Sequence, residues 1–446
     1  METIKTGLLG FGTVGQSTFA VLQRNQGEIS RRAGRGIEIK RIAVRDNNKA
    51  RAVLGETDAV LLDTDAEALV CDPTLDIVIE TIGGTTIARE LVLRALANRK
   101  HVVTANKALL AVHGAEIFAM AHKHGVMVAF EAAVAGGIPI IKILREGLSA
   151  NRIQWIVGII NGTTNFILSE MREHGIDFET ALERAQRLGY AEADPTMDIQ
   201  GIDAAHKIAL MSALAFGAPV QFDSAYIEGI KGLAPLDIQY AEELGYRIKL
   251  LGITRRVADR IELRVHPTLI PTQHLLANVE GAMNAVVVQG DTVGSTLYYG
   301  KGAGGEPTAS AVVADLIDVT RLHTADQSQR VPPLAFQPDQ LSNLAILPIS
   351  EVRCCYYLRL RVMDVKGVLA NITKILADND VSIDALLQKK SRLPDPVGAN
   401  ETDDLIVITH LAVEKQINAA LEQMSALTTV MPQITKLRIE TLNEGC

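Results

Sequence analysis

The first third of the chain alternates short apolar runs with amphipathic stretches. The apolar runs predict strands at residues 4–10, 37–44, 77–79, 101–104 and 126–130. The intervening stretches space their apolar residues as helices do and predict helices at residues 16–23, 88–98 and 115–124. Strands that alternate with helices are typical of a doubly wound parallel sheet joined by right-handed crossovers. We therefore predict an α/β class fold that begins with a Rossmann-like domain over residues 1–139.

The pattern changes after about residue 140, where longer helical stretches follow a single strand. Strands are predicted at residues 153–159, 261–267 and 286–289, and helices at residues 164–174, 178–188, 203–216 and about 308–320. This mixture predicts an α+β domain for substrate binding and dimerisation over residues 140–328. Residues 329–350 contain four prolines and are typical of a linker.

The last part of the chain has its own order of elements. Strands at residues 356–362, 382–390, 405–411 and 434–439 combine with helices at residues 367–378 and 414–427. The resulting βαββαβ order is that of a ferredoxin-like sandwich with both helices on one face. A turn-rich insert over residues 392–404 joins the middle strands. We predict a third domain over residues 351–446.

Composition excludes several classes of protein. The 446 residues are 48% hydrophobic and 22% charged, as in ordinary globular domains, and the net charge of −8 argues against binding to nucleic acid. Four cysteines are too few for a disulfide framework and lack the spacing of a metal site: Cys71, Cys354, Cys355 and Cys446. No uncharged apolar window is long enough to span a membrane. We expect a soluble cytoplasmic protein without a membrane partner.

A glycine motif follows the first strand and opens the first helix, with the sequence Gly10-Phe11-Gly12-Thr13-Val14-Gly15. Such a motif can mark any tight turn, but this context favours a dinucleotide site. Gly10 and Gly12 would permit the turn and the close approach of a pyrophosphate, and Gly15 would let the helix pack on the strand. The motif therefore predicts a nicotinamide dinucleotide cofactor.

The end of the second strand bears on the type of cofactor. Arg45 could pair with the 2′-phosphate of NADP, whereas Asp46 could accept hydrogen bonds from the ribose of NAD. Arg45 comes first and favours NADP, with NAD possible. An ordinary solvated surface charge is the alternative reading of Arg45.

The densest polar segment covers residues 189–207. Asp203 and Lys207 are four residues apart and share one face of a helix that is otherwise apolar. One interpretation is a structural salt bridge. The other is a lysine held near a reacting oxygen as a general acid.

Two further segments lie at the predicted carboxyl edge of the sheet, where open α/β folds bind ligands. Thr104 and Lys107 follow the fourth predicted strand, where the lysine could meet a cofactor or a substrate carboxylate or could be a stray surface charge. The Gly-rich residues 131–139 offer carbonyl groups and the Glu131 carboxylate, which suit a hard monovalent cation, although such a segment is also an ordinary interdomain turn.

Seven segments of the chain resemble homoserine dehydrogenase in order and spacing over roughly residues 4–325. They are GLLGFGTVGQ, IETIGGTTIARE, TANKALLA, EAAVAGGIP, NGTTNFIL, GYAEADPTMDIQGIDAAHK and GKGAGGEPTASAVVADL. The C-terminal DVKGVLAN resembles the first strand-to-helix turn of an ACT domain. Lys301 departs from the pattern, because many relatives have proline there.

The resemblance implies reversible hydride transfer between L-homoserine and L-aspartate 4-semialdehyde, a step toward threonine, methionine and isoleucine. It implies that Lys207 donates the proton with Asp203 as its partner, that Glu192 and Asp198 bind the substrate, and that Lys107 lies between substrate and nicotinamide. The implied cofactor residues are Gly10, Phe11, Gly12, Thr13, Val14, Gly15, Arg45, Thr104, Lys107, Gly189 and Gly304. The implied ligands of sodium or potassium are Glu131, Val134, Gly136 and Ile138.

The resemblance also implies regulation and assembly. Asp364, Gly367 and Asn371 resemble the amino-acid-binding corner of ACT domains, and the end product L-threonine is the expected inhibitor. We expect deletion of the residues after Leu347 to leave an active but insensitive enzyme. A homodimer or homotetramer is expected, because the apolar residues 282–288 are hard to explain as a lone surface.

Two other functions compete with this reading. An aspartate-semialdehyde dehydrogenase would need a cysteine nucleophile, and Cys71 is the only cysteine before the linker, without a suitable loop around it. A silent sensor of nucleotide and amino acid would not need the complete set of Glu192, Asp203 and Lys207. Because function depends on the site and not on the fold, these residues favour the dehydrogenase.

Overall fold

A six-stranded parallel sheet forms the N-terminal unit of the computed structural model, which describes residues 2–55, 60–391 and 401–442. Its strands are β1 (Ile4–Leu9), β2 (Ile37–Ala43), β3 (Leu61–Asp63), β4 (Ile77–Glu80), β5 (His101–Thr104) and β6 (Val128–Ala129), in the order β3-β2-β1-β4-β5-β6. Its helices are α1 (Thr13–Arg24), α2 (Gln26–Ala33), α3 (Asn47–Leu54), α4 (Ala66–Cys71), α5 (Ile87–Ala97) and α6 (Lys107–His124). The predicted doubly wound sheet is confirmed. The pattern missed β3 and helices α2 to α4, which are short.

The middle of the chain builds an antiparallel sheet with helices against it. The helices are α7 (Ile140–Lys142, continued as a π-helical turn over Ile143–Gly147), α8 (Gly162–His174), α9 (Phe178–Arg187), α10 (Thr196–Ile199), α11 (Ile202–Phe216), α12 (Pro235–Glu243) and α13 (Gly305–Leu322). The strands are β7 (Ile153–Ile159), β8 (Tyr226–Ile227), β9 (Tyr246–Val257), β10 (Arg260–Pro271), β11 (Met283–Gly290) and β12 (Gly294–Lys301). Helix α11 is buried from Asp203 to Phe216, so it carries its charged residues through the interior.

Three strands of this sheet were not predicted, the two-residue β8 and the longer β9 and β12. Strand β9 contains Arg247 and Lys249, whose charges hide its apolar pattern, and β12 alternates half-buried with exposed positions. Strand β11 was predicted only in part, and it lies between β12 and β7 with Val286 and Val288 fully buried. The apolar stretch at residues 282–288 is thus covered within the chain, and the expectation that it needs a partner is wrong.

Helix α13 returns to the N-terminal unit. Its apolar residues Ala309, Val312 and Leu316 join the core that contains Leu8 and Ile42. The chain therefore crosses between the two units once more after β12. This crossing brings the end of the Gly-rich residues 300–305 next to the start of helix α1, where a Cβ on Gly305 would lie 3.2 Å from Thr13 Cγ2.

The C-terminal unit has the predicted ferredoxin-like topology. After the short linker strand β13 (Ala345–Ile346) come β14 (Arg353–Met363), α14 (Val368–Asp378), β15 (Ile383–Lys390), β16 (Thr402–Thr409), β17 (Ala412–Val413), α15 (Glu414–Ser425) and β18 (Val430–Ile439). The sheet order is β18-β14-β16-β15. Most of the predicted insert at residues 392–404 lies outside the described residues. Among the described residues, no helix is long and apolar enough to cross a membrane.

The C-terminal unit is joined to the middle unit edge to edge. Strand β18 pairs in parallel with β10, with Thr268 opposite Arg438, so the two sheets form one continuous sheet. Buried ion pairs cross the same boundary. Arg264 binds Glu440, and Arg359 donates to both carboxylate oxygens of Asp237 at 2.6 and 3.0 Å.

Candidate active site

The turn between β1 and α1 leaves room for a phosphate group. Gly10 has φ +89°, and a Cβ on Gly15 would lie 2.4 Å from the carbonyl oxygen of Gly10, so both positions require glycine. A Cβ on Gly12 would meet no atom within 4 Å, and no side chain caps the N-terminus of α1. Backbone N–H groups at such a helix end favour an anion. The turn therefore fits the pyrophosphate of a dinucleotide.

The other predicted cofactor residues differ in which of their atoms can reach a cofactor. The Phe11 ring lies in the core, 6.0 Å from the ring of Phe19. The Thr104 hydroxyl is buried and donates to Glu80 at 2.5 Å. For both residues only the backbone is left to face a cofactor. Thr13 and Val14 open helix α1, beside the open space at Gly12.

The loop before α13 packs against this turn. A Cβ on Gly305 would lie 2.4 Å from Ser17 Oγ of helix α1, and one on Gly302 would lie 1.9 Å from Asn284 Nδ2. Gly304 has φ +118° and lies at the N-terminus of α13. The N-terminal end of α13 thus lies beside the glycine turn, and the role of Gly304 in cofactor binding, which the resemblance implies, stays a prediction.

Arg45 and Asp46, which follow β2, have different surroundings. Asp46 caps helix α3, where its carboxylate accepts hydrogen bonds from the backbone N–H groups of Asn48 and Lys49 at 3.0 and 3.2 Å. Arg45 is exposed and makes no ion pair or side-chain hydrogen bond within the described part of the chain. The helix cap occupies the Asp46 carboxylate, which a ribose would otherwise use. The Arg45 guanidinium is available to an anion.

A cluster of charged side chains bridges the first two units. Lys207 Nζ, on α11, donates to Asp203 Oδ2 at 2.7 Å and to the carbonyl oxygen of Ile160 at 2.7 Å. Lys107, the first residue of α6, places its Nζ 3.0 Å from Asp203 Oδ1. Asp203 therefore holds one lysine from each unit, at the carboxyl edge of the parallel sheet.

Burial and neighbouring charges shift the pKa values of three groups in this cluster. Burial alone would raise the pKa of Asp203, but the ammonium groups of Lys207 and Lys107 hold it well below its usual range. In return, Asp203 raises the pKa of Lys107. Burial and then repulsion from Asp203 raise the pKa of Asp198, the half-buried carboxylate beside the pair.

Two residues that the sequence analysis did not single out organise the site. Asn161 donates to Asp198 Oδ1 at 2.6 Å and to Asp203 Oδ2 at 2.9 Å. Glu80 accepts from the backbone N–H groups of Ile82 and Gly83, as well as from Thr104. Both lie within the quoted family segments, NGTTNFIL and IETIGG, and that position was the only signal that could have found them.

Glu192 and Gly189 belong to an exposed turn above the cluster. Gly189 has φ +77°. Glu192 is exposed, and its charge contributes to the raised pKa of Lys107, so it lies near the cluster without a hydrogen bond to it. Thr163 ties the turn to α8 by donating to the Tyr190 carbonyl oxygen at 2.7 Å.

The predicted cation residues form one tight turn against the loop before α13. The Glu131 carboxylate accepts from the backbone N–H groups of Ile141 and Lys142 at 2.9 and 2.8 Å, and burial raises its pKa to about 7. Within the described residues, the carbonyl groups of Val134 and Gly136 accept no hydrogen bond. The backbone carbonyl oxygens of Glu131 and Ile138 accept from the N–H groups of Val134 and Ile140 at 3.3 and 2.8 Å, so those of Val134 and Gly136 are the more readily available to a cation.

The three predicted regulatory residues form an exposed corner of the C-terminal unit. Gly367 has φ +93° and starts α14, whose N-terminus has no side-chain cap. Asp364 and Asn371 are exposed on either side of it. This corner belongs to the unit whose last strand pairs with β10 of the catalytic sheet.

Comparison with known protein families matches three regions of the chain. Residues 139–317 match the model described as homoserine dehydrogenase, residues 10–131 match the NAD-binding domain of homoserine dehydrogenase, and residues 356–428 match the ACT domain. These regions correspond to the middle, N-terminal and C-terminal units.

Individual proteins of this family are similar to most or all of the chain. The homoserine dehydrogenase of Pseudomonas aeruginosa is 56% identical, covering 99% of this chain and 100% of its own, and that of Neisseria gonorrhoeae is 55% identical, covering 100% of both. The crystal structure of a homoserine dehydrogenase from Thiobacillus denitrificans is 61% identical with a TM-score of 0.93, covering 99% of each chain. A hyperthermophilic archaeal homoserine dehydrogenase in complex with NADPH is 26% identical with a TM-score of 0.62, covering 73% of this chain and 100% of its own. The chain belongs to the homoserine dehydrogenase family of NAD(P)-dependent oxidoreductases, with a C-terminal ACT domain.

Proposed function

We propose that this enzyme interconverts L-homoserine and L-aspartate 4-semialdehyde in the biosynthesis of threonine, methionine and isoleucine. The observation that carries the proposal is the bridge from Lys107 through Asp203 to Lys207. Lys107 of this bridge starts α6 just after β5, so it lies at the same carboxyl edge of the parallel sheet as the glycine turn after β1. A bound nicotinamide would supply or accept the hydride.

The cluster suits the proton transfer that accompanies hydride addition to an aldehyde. As the C–H bond forms, the carbonyl oxygen gains negative charge and needs a proton. An ammonium group has three N–H donors, and Lys207 uses two of them on Asp203 and Ile160. The third can donate to the substrate oxygen. In the reverse direction the neutral amine takes the proton back from the hydroxyl of homoserine.

The surrounding carboxylates suit an amino-acid substrate. Glu192 and Asp198 would bind its ammonium group, and Lys107 would lie between the substrate and the nicotinamide. Asp203 remains the shared partner of the lysines. These roles explain why the acidic residues surround the reactive lysine from a second helix and an exposed turn.

The direct test is oxidation of NADPH or NADH by the full-length protein with aspartate 4-semialdehyde, followed by absorbance. We expect turnover, and we expect no turnover with a simple aldehyde of the same length that lacks the amino and carboxyl groups. Equal rates with both aldehydes would reject the assigned substrate. A folded protein without turnover would favour a silent sensor instead.

We infer a preference for NADP from the exposed guanidinium of Arg45 and the capping role of Asp46. Arg45→Ala should weaken NADP binding by about 10- to 100-fold, the effect of one charge-assisted contact, and leave NAD binding unchanged. Calorimetric titration of both cofactors measures this. Lys49→Ala, which removes a neighbouring exposed cation on α3, is the matched control. An equal loss for both cofactors would mean that Arg45 is structural.

We also infer that the turn at Glu131, Val134, Gly136 and Ile138 holds sodium or potassium through backbone carbonyl oxygens, which replace the hydration shell of such ions. The ion would fix the turn against residues 301–305, because a Cβ on Gly136 would lie 2.6 Å from the Gly302 carbonyl oxygen. Replacing sodium and potassium by a bulky organic cation should lower the thermal midpoint of the protein. An unchanged midpoint would count against the site.

We propose that L-threonine inhibits the enzyme by binding the corner at Asp364, Gly367 and Asn371. Free N–H groups at the start of α14 can receive its carboxylate. Coupling between such sites typically changes affinity by about 5- to 150-fold. Asp364→Ala should abolish inhibition in a rate assay, whereas Asp378→Ala at the other end of α14 should keep it. Full inhibition of the Asp364 variant would refute this location.

Finally, we propose that the chain forms a homodimer or homotetramer. Edge strand β12 exposes Leu297 and Tyr299, with Tyr299 57% exposed, and an open apolar edge favours pairing with a second copy. Light scattering should give a mass of at least twice the 48.1 kDa of one chain. A monomer at micromolar concentration would disprove the assembly.

A further inference from the structure

We propose that Asn161 is a positioning residue that aligns Asp198 and Asp203 beside Lys207 by donating a hydrogen bond to each carboxylate. This inference rests on the proposed function, because the alignment concerns the proton donor of that reaction. It assigns to Asn161 a task distinct from that of an ordinary helix cap.

The orientation of the Asn161 amide is determined by its neighbours. Its Oδ1 accepts the backbone N–H of Thr164 at 2.8 Å, at the start of helix α8. A backbone N–H can only donate, so the oxygen must face the helix. The amide nitrogen must therefore face the opposite side, where the two carboxylates lie.

The amide nitrogen joins two carboxylates that would otherwise repel each other. Its two N–H groups reach Asp198 Oδ1 at 2.6 Å and Asp203 Oδ2 at 2.9 Å, and the whole residue is 4% exposed. Each N–H stabilises the ionised form of its carboxylate. Water has little access to replace these bonds, so the amide is the link between the two carboxylates.

The same stretch of backbone also positions the lysine. The residue before Asn161, Ile160, accepts a hydrogen bond from Lys207 Nζ, while Asn161 and Lys207 both donate to Asp203 Oδ2. Two directions of the ammonium group are thereby occupied. The junction between β7 and α8 thus sets the direction of the remaining N–H, which the proposed mechanism uses.

The decisive variant is Asn161→Asp, which keeps the cap and removes the donors. Asparagine and aspartate cap helices almost equally well, so α8 should be retained. When ionised, the new carboxylate faces two others, and kcat at neutral pH should fall about 10- to 100-fold. When protonated at lower pH, its O–H can donate again. The variant should therefore recover activity toward acid pH, unlike the wild type.

Two further variants separate positioning from folding. Asn161→Ser keeps a cap and one non-titrating donor, so it should lose activity without the shift toward acid pH. Asp177 caps α9, and Asp177→Asn replaces a carboxylate by an amide at that cap, the reverse of Asn161→Asp. This variant should leave the pH profile of kcat unchanged. A folded Asn161→Asp enzyme whose pH profile has the shape of the wild type would overturn the proposal.

The outcome is distinguishable from a failure of the proposed function. If the wild type shows no turnover, the assignment of the substrate falls. The positioning is then measured directly by NMR titration of isotope-labelled aspartate carboxyl groups. The pKa of Asp198 should be higher in Asn161→Ser than in the wild type, and an equal pKa would reject the proposal.

Discussion

Lys207→Ala is expected to lower kcat by about 10²- to 10⁴-fold, the usual contribution of general acid catalysis. The affinity for the nicotinamide cofactor should stay unchanged, because the hydrogen bonds that Lys207 Nζ makes within the described residues go to Asp203 and the Ile160 carbonyl oxygen and not to the glycine turn. Steady-state kinetics in both directions, with calorimetric titration of the cofactor, measure the two effects separately. A variant that keeps more than about half of the wild-type kcat would remove Lys207 from the mechanism.

Lys100→Ala is the matched control for this prediction. Lys100 is also a buried lysine, 2% exposed, and it donates to backbone carbonyl groups at Asp72 and Leu75. Losing its ammonium group should reduce stability and leave kcat near the wild-type value. If both variants lost the same factor in kcat, the effect of Lys207→Ala would be one of folding.

Asp237→Ala is expected to lower the free energy of unfolding by about 3–5 kcal/mol, as when one partner of a buried ion pair is removed. Asp237 is fully buried on α12, and its carboxylate accepts two bonds from Arg359 and one from Tyr357 of the ACT domain. Without it, the Arg359 guanidinium is left in the interior with its charge unpaired. Urea denaturation measures the loss.

An exposed pair across the same boundary provides the control. Arg260 Nη1 lies 2.9 Å from Glu351 Oε2, and the two side chains are 44% and 49% exposed. Glu351→Ala should therefore change the free energy of unfolding by less than about 1 kcal/mol. Equal losses in the two variants would contradict the view that burial gives the Asp237 pair its large effect.

The buried ion pairs between the middle unit and the ACT domain change the result that we expect when the ACT domain is deleted. Its sequence order suggested a separable module whose deletion after Leu347 leaves the catalytic part intact. In the structure, that deletion would remove Arg359, the ion-pair partner of Asp237, and Glu440, one of the two ion-pair partners of Arg264, and would expose the edge of β10. We now expect the truncated protein to be unstable, so threonine sensitivity is better tested by point variants in the full chain.

Most of the fold could be predicted from local patterns in the sequence. Strand β7 has the predicted bounds, and α8, α9 and α11 differ from theirs by two residues or fewer. The same patterns failed to predict a strand where charged residues lie inside the protein. Arg247 and Lys249 interrupt the apolar pattern of β9, and the structure accommodates both because each pairs with Glu280, which is distant in sequence.

The sequence by itself determined the features that depend on nearby residues. Helical and strand periodicity determined the order of the elements, the glycine spacing determined the turn at α1, and the four-residue spacing determined that Asp203 and Lys207 meet. Only the tertiary structure decided that Lys107 reaches Asp203, that Asn161 joins two carboxylates and that β18 pairs with β10. Such contacts form between segments far apart in the chain, and their partners are selected by the packing of whole units, which no local periodicity encodes.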